Sequence, residues 1–71
     1  MDQNLERGPA GLAKGQLWKT DTTYLQIVEL GKRLIHYKLL KDPNQPMVMT
    51  RLIRPDALAV YLRATEAALV N

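Results

Sequence analysis

Apolar and polar residues alternate along the chain from Gln16 to Ile53, and many of them are β-branched or aromatic. An alternation with a period of two residues predicts strands that bury one face and leave the other in solvent. Segments of polar and breaker residues interrupt the pattern and predict turns, the clearest being Lys41 to Pro46 with its two prolines. Four short antiparallel strands are predicted, over residues 17–20, 24–28, 32–40 and 47–53.

The segment Glu29 to Gly31 predicts a hairpin between the second and third strands. A three-residue loop would place Gly31 in the left-handed conformation and would pair Leu25 with Ile35. The alternative, a two-residue loop at Gly31 and Lys32, mixes apolar and charged residues on both faces, so the three-residue loop is preferred. One face then carries Leu25, Ile27, Ile35, Tyr37 and Leu39. The other face carries Tyr24, Gln26, Val28, Lys32, Leu34, His36 and Lys38.

A helix is predicted from Pro55 to about Val70, because proline suits the first helical position and the carboxylate of Asp56 suits the positive end of the helix dipole. A stripe of residues at three- and four-residue steps is assigned to the sheet: Leu58, Tyr61, Leu62, Thr65, Ala68 and Leu69. The predicted fold class is α+β, a three- or four-stranded antiparallel β-meander followed by one C-terminal helix packed on the sheet. Residues 1–15 are predicted to be a flexible N-terminal arm, and residues 16–71 a single domain.

The residue inventory removes most catalytic chemistry. The chain has no Cys and no Ser, and its single histidine, His36, has no second His or Cys with which to complete a zinc site. The carboxylates from Asp21 to Glu66 lie in separate turns and on the helix, at spacings that pair no two of them as acid and base. We therefore expect no catalytic residue, no cofactor and no metal, and a protein that is not an enzyme.

Charge and hydropathy bear on location and partners. The absence of cysteine is typical of a reducing compartment, and no apolar run approaches the ~20 residues that span a bilayer. The first residues also lack the pattern of a secretory signal, so we expect a cytoplasmic protein with no membrane partner. The net charge of +3 comes from the middle of the chain, since residues 16–54 hold seven Lys or Arg against three Asp or Glu.

The outer face of the predicted sheet is the first candidate binding surface, formed by Tyr24, Gln26, Lys32, His36 and Lys38. Aromatic stacking combined with neutralisation of phosphates by the lysines would suit a nucleic acid. Lysines on an exposed sheet face more often keep the protein soluble and protect sheet edges. Nucleic-acid binding is therefore the alternative function rather than the first.

The back of the predicted helix is the second candidate surface. Val60, Ala64 and Ala67 form a small-residue strip that would let another helix approach closely, as in a weak homodimer, although alanine also fills exposed helix positions for its propensity alone. Met47 and Met49 share a strand face, where they could line an adaptable contact or fill the core. The expected function is a non-catalytic interaction module that binds a protein partner and self-associates.

The stretch from Gly15 to Thr20 (GQLWKT), followed by Tyr24 to Lys38 (YLQIVELGKRLIHYK), resembles a set of short hypothetical bacterial proteins. The resemblance covers about half the chain and comes with no activity, cofactor or partner, so it implies a compact bacterial protein and transfers no functional residue. At the level of the fold, the chain also resembles small SH3-like meanders, which bind peptides or nucleic acid.

Overall fold

The computed structural model describes residues 12–70, which form one antiparallel sheet and one helix. The elements are β1 (Leu17–Lys19), β2 (Tyr24–Leu30), β3 (Ile35–Leu40), β4 (Arg51–Ile53), α1 (Pro55–Ala64) and β5 (Ala68–Leu69). The strands lie in the order β4-β3-β2-β1-β5. The α+β class and the meander are confirmed, but the sheet has five strands rather than three or four. None of the described residues belongs to a helix long and apolar enough to cross a bilayer.

The fifth strand arises because the helix is shorter than predicted and ends at Ala64. Beyond it, Glu66 adopts a left-handed backbone conformation with φ of 52°, which turns the chain back towards the sheet. β5 then pairs with β1, Trp18 opposite Leu69, and the N–H of Val70 donates to the Leu17 carbonyl at 2.7 Å. The predicted helical extension to Val70 is therefore wrong: pairing with the open edge of β1 outweighs the helix propensity of the alanines there.

The helix buries the residues that its periodicity predicted. Leu58 and Leu62 are buried, and Tyr61 packs against them and the sheet. Thr65 is half-buried and its hydroxyl donates to the Tyr61 carbonyl at 2.9 Å. The last two residues of the predicted stripe, Ala68 and Leu69, are exposed because they belong to β5.

The hairpin between β2 and β3 has a different register from the predicted one. Leu25 lies opposite Leu39 instead of Ile35, and the connection is the segment 31–34, closed by a hydrogen bond from the Gly31 N–H to the Leu34 carbonyl at 2.9 Å. Gly31 is not left-handed; among the described glycines that conformation belongs to Gly15, with φ of 87°. The predicted three-residue loop is therefore wrong, and β2 extends beyond its predicted end at residue 28 to Leu30.

The core face keeps its predicted residues because the observed register, with Leu25 opposite Leu39, differs from the predicted one by four residues, an even number. A β-bulge at Val28 then changes the faces of the last two residues of β2. The extra residue reverses the alternation, so that Glu29 is exposed and Leu30 packs against the core. If the bulge were absent, the regular alternation would turn the apolar side chain of Leu30 to solvent. The predicted core face is confirmed, because its residues are buried or packed against the core: Leu25, Ile27, Ile35, Tyr37 and Leu39.

The core also contains a residue that sequence reasoning assigned to the arm. Leu12 is 0% exposed and belongs to the buried cluster of Leu12, Leu25, Ile27, Ile35, Leu58 and Leu62. The following residues attach to β2, since the N–H of Gly15 donates to the Ile27 carbonyl at 2.8 Å and the N–H of Ile27 donates to the Gln16 carbonyl at 2.9 Å. Of the predicted arm, residues 1–11 lie outside the described part of the chain, while Leu12 is buried and Gly15 is exposed but hydrogen-bonded to β2.

Gln16 ties this segment to the first strand. Its side-chain Oε1 accepts hydrogen bonds from the Ala13 N–H at 3.0 Å and from the indole N–H of Trp18 at 3.1 Å. Lys14 and Glu29 add an exposed ion pair at 3.2 Å, which contributes little because both side chains are solvated. The segment before β1 is thus held mainly by main-chain hydrogen bonds and the burial of Leu12.

We predict that Leu12→Ala lowers the free energy of unfolding by about 2–5 kcal/mol, as expected when a fully buried leucine is truncated in a packed core. Urea denaturation measures the change. Met47→Ala is the control, because this side chain is 98% exposed and its truncation should alter stability by less than about 0.5 kcal/mol. Equal midpoints for the two variants would show that Leu12 does not belong to the core.

Candidate interaction surfaces

One edge of the sheet exposes large apolar side chains. β4 pairs with β3 on one side only, and its other side has no partner strand among residues 12–70. On β4 and just before it, Met47 is 98% exposed, Met49 82% and Leu52 56%. Large apolar side chains clustered in this way are typical of interaction sites, whereas scattered ones are ordinary. We call residues 47–53 the β4 edge segment.

Only the second half of the β4 edge segment is a strand. The predicted strand over 47–53 is therefore wrong in its first half, since pairing with β3 ends where Arg51 lies opposite Tyr37. The preceding turn closes on itself: the Lys41 N–H donates to Gln45 Oε1 and the Asn44 N–H donates to Asp42 Oδ1, both at 2.8 Å. This compact turn directs the chain away from β3 before it returns as β4.

The main chain of Met47, Val48 and Met49 makes no hydrogen bond with any described residue. Met47 also has a left-handed backbone with φ of 58°, an uncommon conformation for a residue other than glycine. Free main-chain donors and acceptors beside apolar side chains are what a strand needs in order to accept another strand. The structure thus places both methionines in solvent rather than in the core.

A basic depression of about 740 Å³ lies at the end of the sheet where α1 begins. The pairing of Ile35 with Ile53 brings the loop between β2 and β3 next to the start of the helix. The depression is lined by Lys32, Arg33, Leu34, Arg54, Pro55 and Asp56. Its cations and its carboxylate are exposed, and Asp56 forms an ion pair with Arg54 at 3.4 Å.

The outer sheet face contains four of the five residues predicted for nucleic-acid binding. Tyr24, Gln26, His36 and Lys38 are half-buried on the side of the sheet opposite the core, with Gln26 directly across from Lys38. Lys32 is not among them, because the corrected register moves it into the loop that lines the basic depression. The five residues therefore belong to two separate surfaces.

The small-residue strip predicted for a helix dimer is broken. Val60 is 59% exposed and Ala64 is exposed, as the helical spacing requires. Ala67 lies beyond the helix, where its N–H donates to the Leu62 carbonyl at 2.9 Å, and its side chain packs against the core. The outer side of α1 thus presents two of the three predicted residues.

Other features of the described residues add no further site. A cavity of about 50 Å³ between α1 and the sheet is lined by apolar and aromatic side chains: Leu25, Tyr37, Leu39, Ile53 and Tyr61. Within residues 12–70, no three His, Asp or Glu side chains lie close enough together to hold a metal ion. In comparisons with known proteins, no family model, no curated protein and no solved structure matches the chain.

Two residues of these surfaces were missed by sequence reasoning. Leu52 was treated as part of an ordinary strand, and its exposure follows from the edge position of β4. In the sequence, Arg54 counts only as one of the seven basic residues of the middle of the chain, and its place beside Lys32 and Arg33 follows from the pairing of β3 with β4. Only the run Met47-Val48-Met49 indicates an exposed surface from the sequence, because its apolar residues occupy both faces of the predicted strand.

We predict that the double change of Met47 and Met49 to Asp leaves the free energy of unfolding within about 1 kcal/mol of the wild type, because exposed side chains contribute little to stability. The same variant should bind less of a fluorescent hydrophobic dye, since it loses the two most exposed large apolar side chains of the described residues. Thr22→Asp, an exposed change in the turn between β1 and β2, is the control and should leave dye binding unchanged. Loss of the folded state in the double variant would contradict the exposed position of the methionines.

Proposed function

We propose that the chain is a non-catalytic protein-interaction module that binds its partner along the β4 edge segment. The observation that carries the proposal is the exposure of Met47, Met49 and Leu52 on and just before β4, whose side away from β3 has no partner strand among residues 12–70. An extended partner segment would hydrogen-bond to the free main chain, and the exposed side chains would provide apolar contacts on alternate sides. Methionine suits this role because its flexible thioether side chain adapts to different surfaces.

Two further features support an interaction module. We propose that the meander is SH3-like, with a helix between β4 and β5 and with β5 returning to pair with β1; folds of this kind bind peptides or nucleic acid. Fold likeness is weaker support than the exposed edge, because one fold hosts many functions. The absence of cysteine from the sequence supports a cytoplasmic location as part of the same proposal.

The proposal is tested by capture from an extract of the organism that makes the protein. We expect the immobilised wild-type domain to retain a defined protein that the double change of Met47 and Met49 to Asp releases. Thr22→Asp is the control, because it also adds a carboxylate, one where the double variant adds two, at an exposed position away from β4. Retention should also survive treatment with nuclease. If the wild type and the double variant retain the same proteins, the β4 edge segment is not the binding surface.

Nucleic-acid binding is the second candidate, favoured by the three cations Lys32, Arg33 and Arg54 around the basic depression. Asp56 opposes them and already pairs with Arg54, so the net charge available to a phosphate backbone is modest. Lys38 and His36 on the outer face are the nearest further contributors along the chain. Binding through so few cations would be weak and strongly dependent on salt.

We predict that, if this second function holds, replacing Lys32 and Arg33 together by Gln reduces the steepness of the log–log salt dependence of duplex DNA binding by about 1.8, since each neutralised phosphate contributes about 0.9. Fluorescence anisotropy between about 50 and 200 mM salt measures the slope. Lys41→Gln is the control, because Lys41 follows β3 at the end opposite the basic depression. No binding of the wild type at low salt would eliminate this function.

A further inference from the structure

We infer that the occupant of the β4 edge segment is the same segment of a second copy of this chain, paired antiparallel about a two-fold axis that passes through Thr50. The inference rests on the proposed function, because it names the partner of that surface. It differs from the helix dimer that the sequence predicted, whose strip the structure breaks at Ala67. The two sheets would join into one, with both helices on the same side.

Symmetry limits the possible registers. A two-fold axis perpendicular to the sheet keeps each side chain on its own face, and residues directly opposite each other in an antiparallel pair share a face. The axis must therefore pass through a residue and not between two residues. Thr50 is the central residue of the β4 edge segment, and Arg51 and Leu52 are the next choices because they lie on β4 itself.

Charge and proline separate these three choices. An axis through Arg51 would set two guanidinium groups directly opposite each other, which is unfavourable. An axis through Leu52 would place Met49 opposite Pro55 of the second copy, where the proline ring offers no N–H for the ladder, and would leave Met47 in solvent. Both registers also leave part of the exposed apolar surface uncovered.

An axis through Thr50 covers all three exposed apolar side chains. It places Met47 opposite Ile53 of the second copy, Val48 opposite Leu52, and Met49 opposite the aliphatic stem of Arg51. The two Thr50 hydroxyls meet at the axis, and a Thr–Thr pair is among the favourable cross-strand pairs.

The same register explains why the alternating pattern predicts a strand over 47–53 although the single chain forms one only over 51–53. Val48 and Met49 gain main-chain partners that they lack in the single chain. Met47 must leave its left-handed conformation at φ of 58°, a change that releases backbone strain instead of adding it. A ladder of one short strand buries less surface area than a standard protein interface, so we expect a dissociation constant in the micromolar range.

Single-cysteine variants test the register, because the natural sequence has no cysteine to interfere. Opposed residues in an antiparallel pair have Cα atoms about 4.5–5.5 Å apart, within the range that a disulfide spans. Under mild oxidation, Thr50→Cys should form a covalent dimer at least about tenfold faster than Thr22→Cys, the exposed control in the first turn. Val48→Cys and Leu52→Cys should cross-link to each other when mixed, and more slowly when each is alone.

Sedimentation equilibrium supplies a second measurement that needs no cross-link. At about 200 μM, well above a micromolar dissociation constant, the wild type should sediment as a dimer, and Thr50→Lys as a monomer, because two ammonium groups would meet at the axis. Thr22→Lys, the matched control, should stay dimeric. Thr50 is exposed, so at protein concentrations below the dimer dissociation constant both variants should unfold at the same urea concentration as the wild type.

Each outcome decides the inference. A wild type that sediments at 8.1 kDa overturns it, and so does faster cross-linking of Leu52→Cys alone than of Thr50→Cys. A dimer that resists Thr50→Lys places the interface elsewhere and overturns it as well. The proposed function is judged separately: a monomeric wild type that still captures a different protein through Met47 and Met49 retains the function and loses only the second copy as the partner.

Discussion

The main-chain pairing of β2 is the constraint on which the rest of the molecule depends. β2 pairs with β1 on one side and β3 on the other, and it receives the segment before β1 through hydrogen bonds between Gly15, Gln16 and Ile27. The bulge at Val28 sits in the middle of this network. Because one extra residue reverses the alternation, it decides that Leu30 reaches the core and that Glu29 faces solvent, where it meets Lys14. Three other parts of the chain, β1, β3 and the segment before β1, are thus positioned by one strand.

The same arrangement creates the exposed edge. With β2 at the centre and β5 covering β1, the two edges of the sheet are β4 and the two-residue β5. β4 and the residues just before it expose the larger apolar surface, since Met47, Met49 and Leu52 are all more exposed than Leu69. Natural sheets usually protect such an edge with charges, proline or a covering element. Here Arg51 provides one charge, while Met47 and Met49 extend the edge with apolar side chains in solvent. A surface of this kind costs solubility, so its presence is easier to explain by a partner than by stability.

The small size of the core also favours a partner at β4. Six buried leucine and isoleucine side chains form it, with aromatic residues packed around them. Small domains bury a low fraction of their surface and are only marginally stable, so a contribution from the segment before β1 matters. Leu12 supplies it from outside the sheet. Association through β4 would add a further apolar layer without enlarging the chain, which links the proposed surface to the energetics of the fold.

Local patterns in the sequence determined the class of the fold, the split into two faces and the start of the helix at Pro55. These properties follow from periods of two and about four residues, which any short stretch of chain reveals. The composition likewise determines that no Cys or Ser nucleophile is available.

The register of the hairpin, the bulge at Val28, the strand at Ala68–Leu69 and the burial of Leu12 were decided by tertiary structure. Each depends on which distant segment is available for pairing or packing, and a period of two is equally compatible with several registers. The same limit applies to the two candidate surfaces. The methionines are visible in the sequence, but their exposure and the proximity of Lys32 to Arg54 depend on the strand order. That order places β4 at an edge of the sheet and beside the loop between β2 and β3.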